Sequence, residues 1–174
     1  MKLSMAVAPV LVALLVGGVT TPVVTPERNA LPAQSLRGST ESTLEEGDFT
    51  TAMHRVEAAH RRAARDGRWE SLLEVGEAYQ RIAARAGAPD TAGKRARDAY
   101  GAALRSARRA ESVDGALRAA EAFAQVGDAA EVERSLRAAR ELAGSDSEAI
   151  ADVKAAAGRL SNLLEATPEK GGGN

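Results

Sequence analysis

The sequence predicts an all-α protein, built as an antiparallel array of helical hairpins with about six helices. Apolar residues make up 44% of the chain and aromatic residues only 3%, because alanine dominates the apolar share. Alanine is the best helix former, and its small side chain allows helices to approach closely. From Asp48 onward, apolar residues recur at spacings of three and four, which is the helical period. Short interruptions by Gly, Asp or Pro divide this region into helices, and short loops make consecutive helices antiparallel.

Capping signals predict the ends of these helices. Asp48 suits the N-cap of the first helix, and two later pairs, Asp128 with Glu131 and Ser145 with Glu148, have the spacing of a capping box. The predicted helices cover about 49–65, 68–86, 91–110, 113–126, 128–143 and 145–166.

The amino terminus predicts an export signal. Lys2 is followed by an apolar run, and no further charge appears before Glu27. We therefore expect residues 1–24 to be a signal peptide or a membrane anchor, with the helical domain outside the cytoplasm. Cleavage and retention both remain open, because the run approaches the length of a membrane span but no Ala-x-Ala site follows it. A buried core helix is the third alternative, disfavoured because the run has no polar face.

The remaining chain divides by composition. Residues 25–47 read as a flexible tether and residues 168–174 as a disordered tail, since both are rich in polar residues, Gly or Pro. Residues 48–144 hold the helical repeats, and residues 145–167 form a C-terminal capping helix. Its apolar stripe (Ile150, Val153, Ala157, Leu160, Leu164) would cover the open end of the array. The same stripe could instead form a coiled-coil dimer seam.

The hairpins repeat along the sequence. Gly-Asp pairs at 47–48 and 127–128 precede small or apolar residues at the same offsets of 5, 9 and 12 from the glycine. Two other helices share a pattern at a constant shift of 44 residues, which relates Gly76 and Tyr79 to Ala120 and Phe123. A small residue would let the partner helix approach closely, and the neighbouring ring would fill the gap beside it.

These patterns resemble the tetratricopeptide repeat family, in which one helix carries W-x2-L-G-x2-Y and its partner carries A-x3-F-x2-A. The resemblance covers about 48–144 and implies an α-solenoid. The residues expected to pack its helices together are Ala52, Val56, Ala59, Gly76, Tyr79, Ala96, Tyr100, Ala103, Ala120, Phe123, Val132, Leu136 and Ala139. Two departures stand out: one hairpin is longer by 8 residues, and the segment before Gly47 is a short polar stretch, so the first unit is half missing.

The resemblance also implies a binding groove lined by the leading helix of each hairpin. The residues expected to face it are Glu70, Leu73, Glu77, Gln80, Arg81, Asp114, Leu117, Glu121, Ala124 and Gln125. Acidic residues outnumber basic ones in this set, so we expect a basic or neutral peptide. Some members clamp a peptide carboxyl terminus with Lys and Asn residues, and neither type is among the residues expected in this groove, so that activity is not implied.

Residues that could perform chemistry do not converge in the sequence. His54 and His60 are about 600° apart around one helix and cannot share a metal ion. Glu70, Glu74 and Glu77 share a helical face with arginines, which favours a solvated, ion-paired surface over an acid–base pair. We therefore expect no catalytic residue, no metal site and no cofactor.

Trp69 and the arginines have a structural and a functional interpretation. Trp69, the only tryptophan, is expected to pack against the first predicted helix, or alternatively to offer a surface for a ligand to stack on. The arginine-rich helices are expected to be solvated, because no aromatic residues alternate with the arginines and the net charge is only −1.

The sequence therefore predicts a non-catalytic protein–protein interaction module or scaffold on the extracytoplasmic side of the cell envelope. Its partner would be a protein or peptide held in a shallow acidic groove, with no nucleic acid, and with membrane contact only through an uncleaved N-terminal segment. The alternative is a structural protein that forms homo-oligomers through the C-terminal helix.

Overall fold

The structure, a computed structural model, describes residues 33–86 and 89–166. Over these residues the chain is helical and contains no strand. Its helices are α1 (Ala33–Glu45), α2 (Phe49–Asp66), α3 (Trp69–Ala86), α4 (Pro89–Arg109), α5 (Val113–Gln125), α6 (Ala129–Ala143) and α7 (Ser147–Ala166). The all-α prediction is confirmed, and the six predicted helices are α2 to α7.

The predictions for residues 1–24 and 168–174 lie outside the described residues. Among the helices of the described ranges, none combines the length and the hydropathy that crossing a membrane requires.

Helix α1 is the element that the sequence did not predict. It falls inside the segment 25–47, so the prediction of a flexible tether is wrong for residues 33–45. Two threonines interrupt the apolar period of its packing face: Thr40 is 0% and Thr43 3% exposed, beside the buried Leu44 and the partly buried Leu36. The Thr43 hydroxyl donates to the carbonyl of Ser39 at 2.7 Å and accepts from Arg55, so this buried hydroxyl is hydrogen-bonded. The Thr40 hydroxyl has no hydrogen-bond partner among the described residues.

Helix α1 also completes the first hairpin. Thr40 and Thr43 correspond to Ala120 and Phe123 at a constant shift of 80 residues (120 − 40 and 123 − 43). The helix packs on α2 and α3, as the leading helix of a unit should. The expectation that the first unit is half missing is therefore wrong.

The helices form an array of hairpins. Helices α1 and α2, α3 and α4, and α5 and α6 pair with each other, and α7 follows as a single helix. We call α1, α3, α5 and α7 the leading helices, and α2, α4 and α6 the trailing helices. The leading helices pack side by side in chain order, α1 on α3, α3 on α5 and α5 on α7.

Helix α7 lies against α5 and α6 at the end of the array. It buries Val153, Ala156 and Leu160 there. Most of its predicted apolar stripe is thus used within the chain, whereas Ile150 is 42% exposed.

Local signals set the helix ends. Gly67 and Gly127 have φ values of 67° and 70°, the left-handed conformation that ends a helix and favours glycine. Asp128 accepts a hydrogen bond from the backbone N–H of Glu131 at 3.3 Å, as its N-cap position requires. The predicted cap at Ser145 is wrong by one residue: α7 begins at Ser147, and Asp146 accepts from the backbone N–H groups of Glu148 and Ala149.

The core is built on close approach of α3 and α4. A Cβ added at Gly76 would lie only 2.2 Å from Cε1 of Tyr100, so the ring rests directly on the glycine. The Tyr100 ring also meets Phe123 edge to face, with centroids 5.7 Å apart. The predicted packing residues are buried, except for Ala59 and Leu136, which are partly buried.

Candidate functional site

Three hollows follow the leading helices along one face of the array, which we call the leading face. The first, of about 350 Å³, lies among α1, α3 and α5. The second, of about 330 Å³, lies between α3 and α5 beside Trp69, and we call it the Trp69 hollow. The third, of about 300 Å³, lies between α5 and α7, and we call it the α7 hollow.

Nine of the ten residues predicted to face the groove line these hollows. The Trp69 hollow includes Glu70, Leu73, Glu77, Glu121 and Gln125. The first hollow includes Gln80 and Arg81, and it shares Glu77 and Gln125 with the Trp69 hollow. The α7 hollow includes Asp114 and Leu117. Ala124 is buried in the core rather than exposed on this face, which corrects its expected place in the groove.

The sequence did not assign several other lining residues. Glu74 and Arg118 line the Trp69 hollow at equivalent positions, because they are related by the 44-residue shift (118 − 74). Arg37 was missed because it belongs to α1. The α7 residues Glu148 and Asp152 were missed because α7 was treated as a cap, although a 34-residue shift relates Glu148 to Asp114 (148 − 114).

Carboxylates dominate the Trp69 hollow. Four of them line it, against the single guanidinium of Arg118. Glu121 lies 3.9 Å from Arg118, a separation at the outer limit of an ion pair. Among the described residues, no basic group comes within ion-pair distance of Glu74. Burial raises the pKa of Glu74, and the neighbouring Glu77 carboxylate raises it further.

The α7 hollow is acidic throughout. Its charged lining consists of Asp114, Asp146, Glu148 and Asp152, and its apolar lining includes Leu117. Asp146 already caps α7 through two backbone N–H groups. The other three carboxylates are exposed and have no ion-pair partner among residues 33–86 and 89–166.

The first hollow is the more basic end of the leading face. Arg37 and Arg81 line it together with Glu77. Arg37 lies 3.1 Å from Glu77, whereas Arg81 lies 3.8 Å from the same carboxylate. Burial lowers the pKa of Arg81, with a further contribution from the nearby Arg37 charge, and its Nε has no hydrogen-bond partner among the described residues.

Equivalent glutamates link neighbouring leading helices. Glu41, Glu77 and Glu121 occupy the same position in α1, α3 and α5 (77 − 41 = 36; 121 − 77 = 44, across the longer hairpin). They pair with an arginine of an adjacent leading helix, Glu41 with Arg85, Glu77 with Arg37, and Glu121 with Arg159. Because these side chains are substantially exposed, each pair contributes little stability, on the order of 0–1 kcal/mol.

Trp69 is held in a fixed position at the start of α3. A Cβ added at Gly115 of α5 would lie 2.9 Å from Cδ2 of the indole, so the ring rests against that glycine. The partly buried ring therefore packs against α5, whereas the sequence predicted packing against α2. It also lines the Trp69 hollow, which is the position that a stacking surface would need.

A polar cluster lies between α2, α3 and α4, away from the hollows. The His60 and Tyr79 rings meet edge to face at 5.8 Å, and Arg95 lies over the Tyr79 ring at 6.0 Å while pairing with Glu57. Burial lowers the pKa of His60, and the Arg95 charge lowers it further. His54 is exposed on the same helix.

The described residues contain no group of three or more His, Cys, Asp or Glu side chains that could hold a metal ion.

Arginines of α4 pair with acidic residues of α2 and α6, as Arg95 does with Glu57 and Arg108 does with Glu141. What the leading face offers to a partner is therefore charged groups and apolar contact surface.

Comparison with known proteins gives a distant structural likeness. The chain matches no protein-family model and no curated protein sequence at a significant level. A solved structure of the type III secretion translocator chaperone SycD of Yersinia enterocolitica, in an alternative dimer, is similar over 80% of this chain and 94% of that chain. The identity is 21% and the TM-score is 0.42.

Proposed function

We propose that this protein is a non-catalytic interaction module that binds a basic segment of a partner protein along its leading face. The observation that carries the proposal is the charge of that face. Eight carboxylates line the three hollows against three guanidinium groups, those of Arg37, Arg81 and Arg118. A basic segment would be attracted by this excess of negative charge, and an acidic one repelled.

Apolar contact would supply the rest of the binding free energy. Leu73 and Ala122 line the Trp69 hollow, and Leu117 lines the α7 hollow. Clefts that combine such apolar surface with a few polar groups are the usual form of binding sites. The hollows follow one another along the array, which suits an extended or helical segment better than a compact molecule.

We further propose that the array is of the tetratricopeptide type and works outside the cytoplasm. Support for the first point is the spacing of equivalent residues in α5 and α7, 34 residues (148 − 114), which is the period of that repeat. Support for the second is the uncharged, apolar run after Lys2.

The test is binding of two labelled peptides of equal length, one with interspersed arginines and one with glutamates at the same positions. We expect fluorescence anisotropy to show binding of the basic peptide to the full-length protein, weakening as salt is added. The triple variant Asp114→Asn, Glu148→Gln, Asp152→Asn should bind it more weakly. Equal binding of both peptides, or of neither, would refute the proposal.

A matched variant controls for overall charge. Asp66→Asn, Asp98→Asn and Glu133→Gln remove the same number of carboxylates from the trailing helices, at exposed positions outside the hollows. Binding should be almost unchanged in this variant. The self-association alternative is tested by light scattering over a range of protein concentrations, where a constant monomer mass argues against it.

A further inference from the structure

The Trp69 hollow differs from the other two in having an aromatic wall. The indole of Trp69 forms this wall, and Leu73 and Ala122 contribute apolar lining next to it. Leu73 and Ala122 are nearly fully buried, at 8% and 7% exposure. The hollow is at the small end of the volumes of ligand sites, which suits one long side chain rather than a whole ligand.

The position of the indole does not depend on a ligand. The ring rests against Gly115, where even a methyl group would approach Cδ2 to 2.9 Å, and the same added atom would lie 2.7 Å from Cβ of Ala107. This close fit fixes the ring between the start of α3 and the α4–α5 pair. A surface that is ordered before binding loses little conformational freedom on binding.

The charges around the hollow are incompletely neutralised. Glu70 lies 3.5 Å from Arg68, and Glu121 lies 3.8 Å and 3.9 Å from Arg159 and Arg118. Glu74, the partly buried member, has no ion pair among the described residues. Burial and the neighbouring Glu77 carboxylate raise its pKa, and the charges of Arg68 and Arg37 offset this only in part. A cation entering the hollow would relieve this repulsion and contact the indole at the same time.

We propose that the Trp69 hollow is the anchor site for one arginine side chain of the partner, which stacks on Trp69 and pairs with Glu74. This inference rests on the proposed function and adds the side-chain class that the site selects. Arginine fits better than lysine because its guanidinium is planar, stacks on aromatic faces and pairs with a carboxylate through two parallel hydrogen bonds. Tryptophan is the aromatic residue that attracts a cation most strongly.

The test uses changes in the peptide, which cannot affect folding of the protein. In the basic peptide, each arginine is replaced in turn by citrulline, which has a similar shape but no charge, and by lysine, which keeps the charge. At one position we expect citrulline to weaken binding by about 2-fold to 30-fold, the range of a cation–π contact. Lysine at that position should also weaken binding, whereas lysine elsewhere should have little effect.

Protein variants then locate that arginine. In Trp69→Leu, which keeps an apolar side chain against Gly115, and in Glu74→Gln, the same citrulline substitution should cost much less than in the unaltered protein. This coupling is the signature of direct contact. The matched controls are Leu117→Ala and Asp114→Asn in the α7 hollow, where the cost of the citrulline substitution should be unchanged.

The possible binding results distinguish failure of the anchor site from failure of the proposed function. If the basic peptide binds but all its arginines are equivalent, or no coupling to Trp69 or Glu74 appears, the anchor site is refuted while the proposed function stands. If the basic peptide does not bind at all, the proposed function itself fails. If N-acetyl-arginine amide alone binds as tightly as the peptide, the hollow is a site for a small guanidinium compound, and the partner side chain is refuted.

Discussion

Replacing Gly76 with alanine tests the close approach of α3 and α4, on which the array depends. The added Cβ would lie 2.2 Å from Cε1 and 2.4 Å from Cδ1 of Tyr100. Carbon atoms in contact prefer about 3.5–4.0 Å, so the ring would have to move by roughly 1.3 Å or more. The ring is fully buried, donates its hydroxyl hydrogen to Oε1 of Gln80 at 2.9 Å, and contacts Phe123.

These contacts determine how much the substitution lowers the free energy of unfolding. Overpacking of a core typically costs about 1–3 kcal/mol, and weakening the hydrogen bond to Gln80 adds about 0.5–1.5 kcal/mol. Alanine gains up to about 1 kcal/mol over glycine inside a helix, which opposes these costs. We therefore expect Gly76→Ala to lower the free energy of unfolding by about 1–3 kcal/mol.

Urea unfolding followed by far-ultraviolet circular dichroism measures this change. Gly158→Ala in α7 is the matched control, because no atom lies within 4 Å of its added Cβ. Gly101→Ala in α4 is a second control, with only the flexible end of Arg105 nearby, at 3.5 Å. Both controls should keep or raise stability. If Gly76→Ala is as stable as Gly158→Ala, the direct packing of Tyr100 on Gly76 is refuted.

Three further perturbations test other parts of the structure. Ser112→Ala removes the hydroxyl that accepts from the N–H of Gly115 at 2.9 Å, and should cost about 1 kcal/mol in urea unfolding, whereas an unchanged midpoint would contradict the cap. The pKa of His60 is lowered from its ordinary value of 6.5, so the unfolded chain binds the proton first, and stability should fall as the pH drops below about that value. His60→Gln should reduce this fall and His54→Gln should not; equal pH profiles for the two variants would refute the burial argument. The pKa of Glu74 is raised from its ordinary value of 4.5, so its charge disfavours the folded state at neutral pH, and Glu74→Gln should raise the thermal midpoint at pH 7 but not well below pH 4.5.

Much of the fold could be predicted from the sequence because its signals are local. Gly67 and Gly127 adopt the left-handed conformation that their positions suggest, and Asp48 accepts from the N–H of Thr51 at 2.9 Å as an N-cap. The repeat pattern also predicted close approach of the partner helix at Gly76, where the Tyr100 ring of α4 rests on the glycine. Such features depend on a few neighbouring residues and on helical period.

Helix α1 could not be recognised in the same way. Its buried Thr40 and Thr43 carry hydroxyls, and Gly38 lowers its helix propensity, so its apolar period is weak. The 80-residue shift to Ala120 and Phe123 is the signal that would have found it. Tertiary packing against α2 and α3 outweighs the weak local preference.

The candidate site, like the fold, could be predicted only in part from the sequence. The groove residues of α3 were implied by the tetratricopeptide resemblance, and those of α5 by the 44-residue shift between the two helices. The contributions of α1 and α7 required the order of the leading helices, and so did the ion pairs between them, such as Glu41 with Arg85. The isolation of Glu74 is likewise a property of the assembled face rather than of α3.

Photo-crosslinking is the most direct test of the central claim that the leading face binds a basic segment. The arginine-containing peptide would carry a benzophenone group at one end, and mass spectrometry would locate the adducts on the full-length protein. We predict adducts on α3, α5 and α7 at residues lining the hollows. An excess of the unlabelled arginine peptide should reduce these adducts, whereas an excess of the glutamate peptide should not. Adducts concentrated on the trailing helices α2, α4 and α6, or adducts that the glutamate peptide displaces equally well, would contradict the account.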